Sequence, residues 1–482
     1  MQSNAGAQIS RKAFLQSAFI LVILIIASGI LTQVIPSGAF QRTTLDGREA
    51  IIPGSFIFTP KAEYPIWRWF SAPLEVLGSV DGLTVIVIIL FLLMVGAAFA
   101  VLDACGILRK GISLIVERVG ERKYLLLWAV SLFFMLIGAF FGIFEEVIPL
   151  VPIIVALSLS MGWDSLVGLG MSILAVNMGF STAVSNPFTI GVAQKLAGLP
   201  LFSGAVLRLV FFVLVYSVFM LFLTRYAKKV ERDPKSSPVY SEEQANTSRV
   251  LAAGEAGEIK GLRFKPAVVW FGVFMVLIAA VLLAAPFVPA IADYSLPIVA
   301  LLFLAAGLGA GFLSGAKAGT VLKAAWQGML GIAPGIPLIL MASSIKYIIA
   351  QGGVLDTILY QASSLLAGVS PMTAALAVYG LALLIEFFIG SGSAKAFLLM
   401  PLLIPLAGLV GLTSQTAVTA YCFGDGFSNL VYPTNPVLHI ALGLTVVSYG
   451  KWLRWSLKLW ALILPLTVVF LAIAVAINFG PF

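Results

Sequence analysis

An all-α integral membrane protein with two inverted repeats, each holding a re-entrant hairpin and a discontinuous transmembrane helix, is predicted by three features of this 482-residue sequence. Its composition is too apolar for water, its charges segregate to one side, and its halves repeat in near-constant register. Hydrophobic residues make up 60% and charged residues 10%, against about 25% charged in a soluble domain; mean hydropathy is +1.06. So little charge cannot coat a water-facing surface of this size. The net charge of +8 therefore reports topology rather than an affinity for nucleic acid. Cys105 and Cys422 lie far apart with no metal-ligand or redox spacing, and a single histidine, His439, nearly excludes a histidine-built metal centre. No cofactor and no metal are expected.

A bilayer core takes about 20 apolar residues per helix. Uninterrupted runs of that kind lie near 13–35, 83–103, 203–224, 266–288, 295–313, 327–350 and 455–479. The first is too long for a signal-peptide core and lacks a convincing cleavage site, so it reads as a retained helix. Four further stretches, 124–160, 165–196, 372–409 and 413–448, are apolar but broken by Pro, Gly, Asn or charge. A cytoplasmic N-terminus puts most lysines and arginines inside. It leaves only Arg42, Arg48, Lys61 and Arg68 in the outer loop 36–82, as the positive-inside rule requires. The charge-mixed stretch 225–265 then reads as a flexible cytoplasmic linker. It stays inside only if 124–160 enters and leaves on one side. The same parity makes 372–409 re-entrant and places the C-terminus in the periplasm. The chain divides into a first repeat (1–224), the linker (225–265), a connecting helix (266–294) and a second repeat (295–482).

The halves superpose at a spacing that drifts only from 247 to 249. Gly106-Ile107-Leu108 falls on Gly353-Val354-Leu355, Gly142 on Gly390, Gly162 on Gly411, Ser165 on Ser414, and Asn186-Pro187 on Asn435-Pro436. The helix near 266–288 is left over and inverts the second unit. Paired hairpins and paired broken helices in an inverted repeat point to a secondary transporter.

The breaks carry the chemistry. Asn is a favoured N-cap and Pro a favoured first helical residue, so Asn186 and Asn435 are expected to cap half-helices restarting at Pro187 and Pro436. Their N–H groups can hold a carboxylate, and the unwound carbonyls around Ala183–Ser185 and Pro433–Thr434 are open to a cation. A plain proline kink is the competing reading. At the first tip, in GIFEEVIPLVP, helix capping is the competing reading for both Glu145 and Glu146, more so for Glu145, which leaves Glu146 as the stronger candidate for a substrate amine. At the second, in GSGSAKAFLLMP, Ser391 and Ser393 sit in glycine-softened backbone. Lys395 opposes the helix dipole there and needs Glu386, a tip glutamate or the substrate as partner, unless the ion pair is only structural. Glu386, Asp425, Lys346 and His439 are further ionisable groups within spans. Asp425, Glu386 and His439 are candidates for a coupling ion or proton, with hydrogen-bonded packing the alternative for His439. Asp103 and Asp164 read as interfacial caps.

The runs GxxEExIPxxP, DSLxG, SNPFTIGVAQxxAGLPLFSG, GGVLDTIL and the TNP near the C-terminus resemble the YfcC-type carriers, grouped with the four-carbon-dicarboxylate anaerobic carriers and arginine–ornithine antiporters of the ion transporter superfamily. The resemblance covers roughly 80 to 480. It implies an elevator-type transporter of the bacterial inner membrane, with a homodimeric scaffold. It also implies a ligand held by Glu145, Glu146, Ser185, Asn186, Ser391, Ser393, Lys395, Thr434 and Asn435. Dicarboxylate transporters of the wider superfamily carry Ser-Asn-Thr at both tips, which this sequence lacks.

Acid at one tip, Asp425 nearby, one lysine and two helix N-termini suit a zwitterion with extra positive charge. A basic amino acid, exchanged or proton-coupled, is therefore the leading substrate, with a four-carbon dicarboxylate as the alternative. Sodium coupling stays open beside proton coupling. A channel would need a continuous polar lining, yet the polar residues concentrate at two breaks and two tips. No HExxH, GxSxG or paired intramembrane aspartates suggest an enzyme.

Overall fold

The computed structural model describes residues 11–45, 48–107, 110, 122–245, 263–284, 288–364 and 368–480. Among these, eight helices are long and apolar enough to cross a bilayer, or nine if one bent pair counts as a single span. In chain order, α1 (Arg11–Val34), α2 (Trp67–Glu75) and α3 (Gly82–Ala104) come first. α4 (Lys123–Leu136) runs through a π turn, Ile137–Phe141, to a first tip, and a 3-10 turn, Glu145–Leu150, leads into α5 (Val151–Ser160). α6 (Ser165–Leu169) and α7 (Ala175–Thr182) flank a second π turn. After a break, the chain resumes as a π turn, Pro187–Gly191, and α8 (Val192–Leu196). α9 (Ala205–Arg232), α10 (Phe264–Ala284), α11 (Pro289–Leu313), α12 (Ala318–Ile332), α13 (Gly335–Gln351) and α14 (Leu355–Ser364) follow. α15 (Pro371–Glu386) and α16 (Gly392–Leu409) enclose the second tip. α17 (Ser414–Ser428) and α18 (Pro436–Gly443) flank the second break, and α19 (Tyr449–Ala476) closes the chain.

Two groups of helices emerge from the packing. In one, α3 lies along α11 and α12, α10 covers α11, and α1 lies along α13. The outer loop forms two small antiparallel ribbons, one pairing Gly38 with Phe58 and the other Arg42 with Ile51, and the second lies against α16. Asp356 accepts hydrogen bonds from the Phe40 N–H and the Arg42 guanidinium, both at 2.9 Å. In the other group, α4 packs on α7, α5 on α6, α15 on α17, and α16 on both α17 and α8, while the 3-10 turn of the first tip touches α18. The half-helix after each break thus lies against the other half's tip or arm. α7 and α17 cross at a small-residue contact, where a Cβ on Gly426 would come within 2.4 Å of Ser181 Cα. Such close backbone approach is how helices associate where lipid supplies no hydrophobic drive.

Two expectations need correcting. The span near 327–350 is not one helix: α12 and α13 meet at 40°. Pro334 lies between them, withholding an N–H and clashing with the preceding turn, with Gly335 beside it. Nor is the linker flexible from its start, because α9 continues to Arg232 and residues 240–245 are helical. Its acids have found partners: Glu242 pairs with Lys451 at 2.5 Å, and Glu243 accepts the Ser165 N–H at 2.6 Å. Asp164 caps α6 through the Val167 N–H and accepts the hydroxyls of Tyr226 and Ser237. Arg109, Arg118 and residues 246–262 lie outside the described residues.

Burial pushes the Glu243 carboxyl up to about 7, only partly opposed by its bond to Ser165. The docked state therefore binds its proton more tightly than the undocked one, and docking weakens as pH rises from the ordinary carboxylate range through 7. Protection of residues 233–245 against hydrogen exchange, corrected for intrinsic rates, should fall between pH 5 and 8, and Glu243→Gln should flatten that dependence.

Candidate functional site

Both tips and both restarts converge on one cavity of about 330 Å³ between the two helix groups. The first tip supplies Phe144, Glu145 and Glu146, and the second Gly390, Ser391, Gly392 and Ser393. Phe188 and Thr189 enter from the first restart, and Thr434 to Val437 from the second. The opposite wall carries Asp81, Thr84, Ser295, Ser343 and Lys346. Of the polar and ionisable candidates named in the sequence, Glu145, Glu146, Lys346, Glu386, Ser391, Ser393, Thr434 and Asn435 line this space. Ser185, Asn186, Lys395, Asp425 and His439 do not.

Both restarts are capped by asparagine. Asn186 Oδ1 accepts the N–H groups of Phe188 at 2.9 Å and Thr189 at 3.3 Å, and Asn435 Oδ1 accepts that of Val437 at 2.9 Å. Asn186 itself is buried beneath the first tip, where Gly142 adopts φ +69° and a Cβ would sit 2.1 Å from Asn186 Oδ1. Only glycine fits that position. Ser185 is stitched to the π turn of α4, its N–H to the Ala139 carbonyl and its hydroxyl to that of Phe140.

Most of the break carbonyls expected to be open to a cation already have donors. At the first break, the fully buried Arg208 guanidinium donates to the Ala183 carbonyl at 2.9 Å and that of Val184 at 3.0 Å. It also donates to Ser203 at 2.8 Å and Phe202 at 3.4 Å. At the second break, His439 Nε2 donates to the Pro433 carbonyl at 2.6 Å, the Tyr449 hydroxyl to that of Val431, and Trp452 Nε1 to that of Leu430. His439 is thus buried away from the cavity and fixed by its hydrogen bond. Arg208 was missed in the sequence. The signal was an arginine with apolar neighbours on both sides in AVLRLVFFVL, close enough to the span's start to pass for an interfacial side chain reaching for water.

The tip glutamates differ from expectation in which of them is tied down. Glu146 reaches back to the Phe144 N–H at 3.3 Å and accepts the Ser295 hydroxyl on α11 at 2.7 Å. Both of its carboxylate oxygens are thus engaged. Glu145 stands exposed in the cavity, and no hydrogen bond or ion pair engages its carboxylate among the described residues. On the facing wall, Lys346 pairs with Asp81 at 2.7 Å. Lys395 is withdrawn from the cavity between Glu386 and Asp425, all three at most 1% exposed. Its ammonium contacts Glu386 Oε2 and lies 2.8 Å from Asp425 Oδ1. Among the described residues, no cluster of three or more His, Cys, Asp or Glu is arranged for a metal ion.

Comparison with known proteins identifies the family. The profile of the DcuC family, the C4-dicarboxylate anaerobic carriers, matches residues 14–476. The chain is 31% identical to an Escherichia coli (strain K12) protein named "Putative basic amino acid antiporter YfcC", over 92% of this chain and 93% of that one. It is 24% identical to an uncharacterized Haemophilus influenzae protein, over 83% and 77%. The solved structure of Neisseria gonorrhoeae MtrF, whose title speaks of a class of antimetabolite efflux pumps, aligns over 96% and 95% at 18% identity with a TM-score of 0.42. The chain belongs to the C4-dicarboxylate anaerobic carrier family and is a multi-pass membrane protein of a transporter family, whose described relatives are carriers rather than enzymes.

Arg208→Lys keeps the charge but loses the fork that spans several carbonyls. Leaving the Ala183 and Val184 carbonyls under-satisfied should cost on the order of 3 kcal/mol, read as a lower melting temperature of the purified protein together with loss of transport.

Proposed function

We propose that this member of the C4-dicarboxylate anaerobic carrier family moves a basic amino acid across the membrane, by exchange or with proton coupling. The free Glu145 carboxylate in the cavity carries this reading. The wall also holds Asp81 and Glu146, while both nearby lysines, Lys346 and Lys395, are already paired with carboxylates. A dicarboxylate would meet net negative charge and find no unpaired cation among these residues. A basic amino acid can set its side-chain cation against Glu145. Its α-carboxylate then lies toward Ser391, Ser393 and the N-terminus of α18, whose N–H groups and dipole favour an anion. The name given to the Escherichia coli relative, a basic amino acid antiporter, points the same way.

Transport proceeds by an elevator-like displacement of the group holding both tips and both breaks against the group holding α3 and α11 to α13. An inverted-repeat origin is supported by backbone at equivalent positions: Gly106 and Gly353 have φ +67° and +66°, and Gly162 and Gly411 have +82° and +73°. The remaining parts of the reading are a homodimer in the bacterial inner membrane, re-entrant hairpins at 124–160 and 372–409, a cytoplasmic N-terminus and a periplasmic C-terminus. Four-carbon dicarboxylate transport is the second reading, favoured by the description of the matched family.

Ligand-dependent thermal stabilisation of the purified protein separates the two, because binding to the folded state raises stability by RT ln(1 + [L]/Kd). Arginine, ornithine or lysine should stabilise, and succinate, fumarate and malate should not; the reverse pattern selects the dicarboxylate. Glu145→Gln should weaken binding of the basic amino acid by about tenfold, or about 1.4 kcal/mol, and more than Glu146→Gln does. Saturable counterflow in liposomes should accompany binding, whereas ion conductance would indicate a channel.

A further inference from the structure

Beneath the cavity lies a charge cluster that substrate contact does not absorb. Glu386 on α15, Lys395 on α16 and Asp425 on α17 meet in an interior where none is more than 1% exposed. One ammonium serves two carboxylates, so with all three groups ionised the cluster carries one uncompensated negative charge. The hydrogen bonding is unbalanced in the same sense. Glu386 Oε1 and both Asp425 oxygens are buried without a directed hydrogen bond. An uncompensated buried charge is strongly disfavoured in such surroundings.

The other titratable groups close to the cluster are Tyr421 and Cys422 on α17 and Tyr432 just beyond it. The Tyr421 hydroxyl is already committed to the Gly392 carbonyl. Arg208, on α9, faces Cys422 and spends its donors on the first break. None of these supplies the missing positive charge. The cluster is nevertheless within reach of the cavity, because Glu386 forms part of the wall, as does Gly392. A Cβ at Gly392 would sit 2.8 Å from Asp425 Oδ2. The missing side chain at 392 leaves that carboxylate directly behind the wall.

We propose that the Glu386–Lys395–Asp425 cluster carries one exchangeable proton, held between its two carboxyl groups, which passes to cavity water when a cationic substrate enters. The O–H bond of a carboxylic acid breaks, its proton leaves on water, and the new carboxylate is balanced by the arriving cation. One positive charge enters as one leaves, so the dry interior keeps the same net charge throughout. Reprotonation must then accompany substrate release, which makes the carrier a proton-for-cation exchanger. The inference rests on the basic amino acid reading.

Isothermal titration of the full-length protein in detergent with arginine tests it. Arginine is chosen because its own groups do not titrate near pH 7. At that pH, heats measured in phosphate, HEPES and Tris, which differ in ionisation enthalpy, give the number of protons released. About one proton per arginine is expected, falling toward zero in Asp425→Asn and in Glu386→Gln. Clear binding with no proton released by the unmodified protein overturns the proposal, as does release that survives in both variants. Absence of binding by arginine, ornithine and lysine alike overturns the substrate reading instead. Should either variant fail to fold, the other still assigns the release, and the unmodified protein alone still decides whether a proton moves.

Discussion

Within a bilayer no water waits to satisfy a backbone group released by a broken helix, so every such group must find a donor or acceptor in the protein. The rest of this structure depends on meeting that demand twice. At the first break, Asn186 takes the N–H groups of Phe188 and Thr189, while Arg208 takes the carbonyls of Ala183 and Val184. At the second, Asn435 caps the restart, and His439, Tyr449 and Trp452 cover the carbonyls before it. The asparagines serve the donors and larger side chains serve the acceptors. With the backbone settled in this way, both restarts can end beside a cavity without collapsing into it.

Electrostatics then divides the site into layers. The cavity face presents Glu145, Glu146 and the Lys346–Asp81 pair, where water or ligand can screen and rearrange charge. Behind it, Glu386, Lys395 and Asp425 are sealed together, at a depth where a mismatch of one charge is felt far more strongly than at the surface. A lysine in the first turn of a helix is a poor match for the dipole, and its place is explained by the two acids it serves. Such a cluster adds little net stability compared with apolar packing.

Much of this was legible in the residues. Most spans, both asparagine caps and eight cavity-lining residues follow from periodicity, from Asn-Pro chemistry and from charge in apolar surroundings. What was not legible depends on distant partners. Glu145 and Glu146 are neighbours in one motif, and only the position of Ser295, about 150 residues later, fixes which of them is tied down. The charge-mixed segment after Arg232 has a disordered-looking composition, yet Lys451 and Ser165 hold its acids in place. Ser185 and Asn186 read as ligand contacts because they sit at a break. The first tip folds over them, and the close contact at Gly142 keeps them from the cavity.

Arg208 carries one more implication, for the first break. A cation that diffuses in must be recruited from solution and released again, and its occupancy follows the ionic composition outside. A guanidinium attached to the chain has a fixed local concentration that dilution cannot lower. The carbonyls of Ala183 and Val184 are held by such a tethered cation, so the first break stays permanently occupied. Any cycle of filling and emptying is left to the cavity itself, where both tips meet.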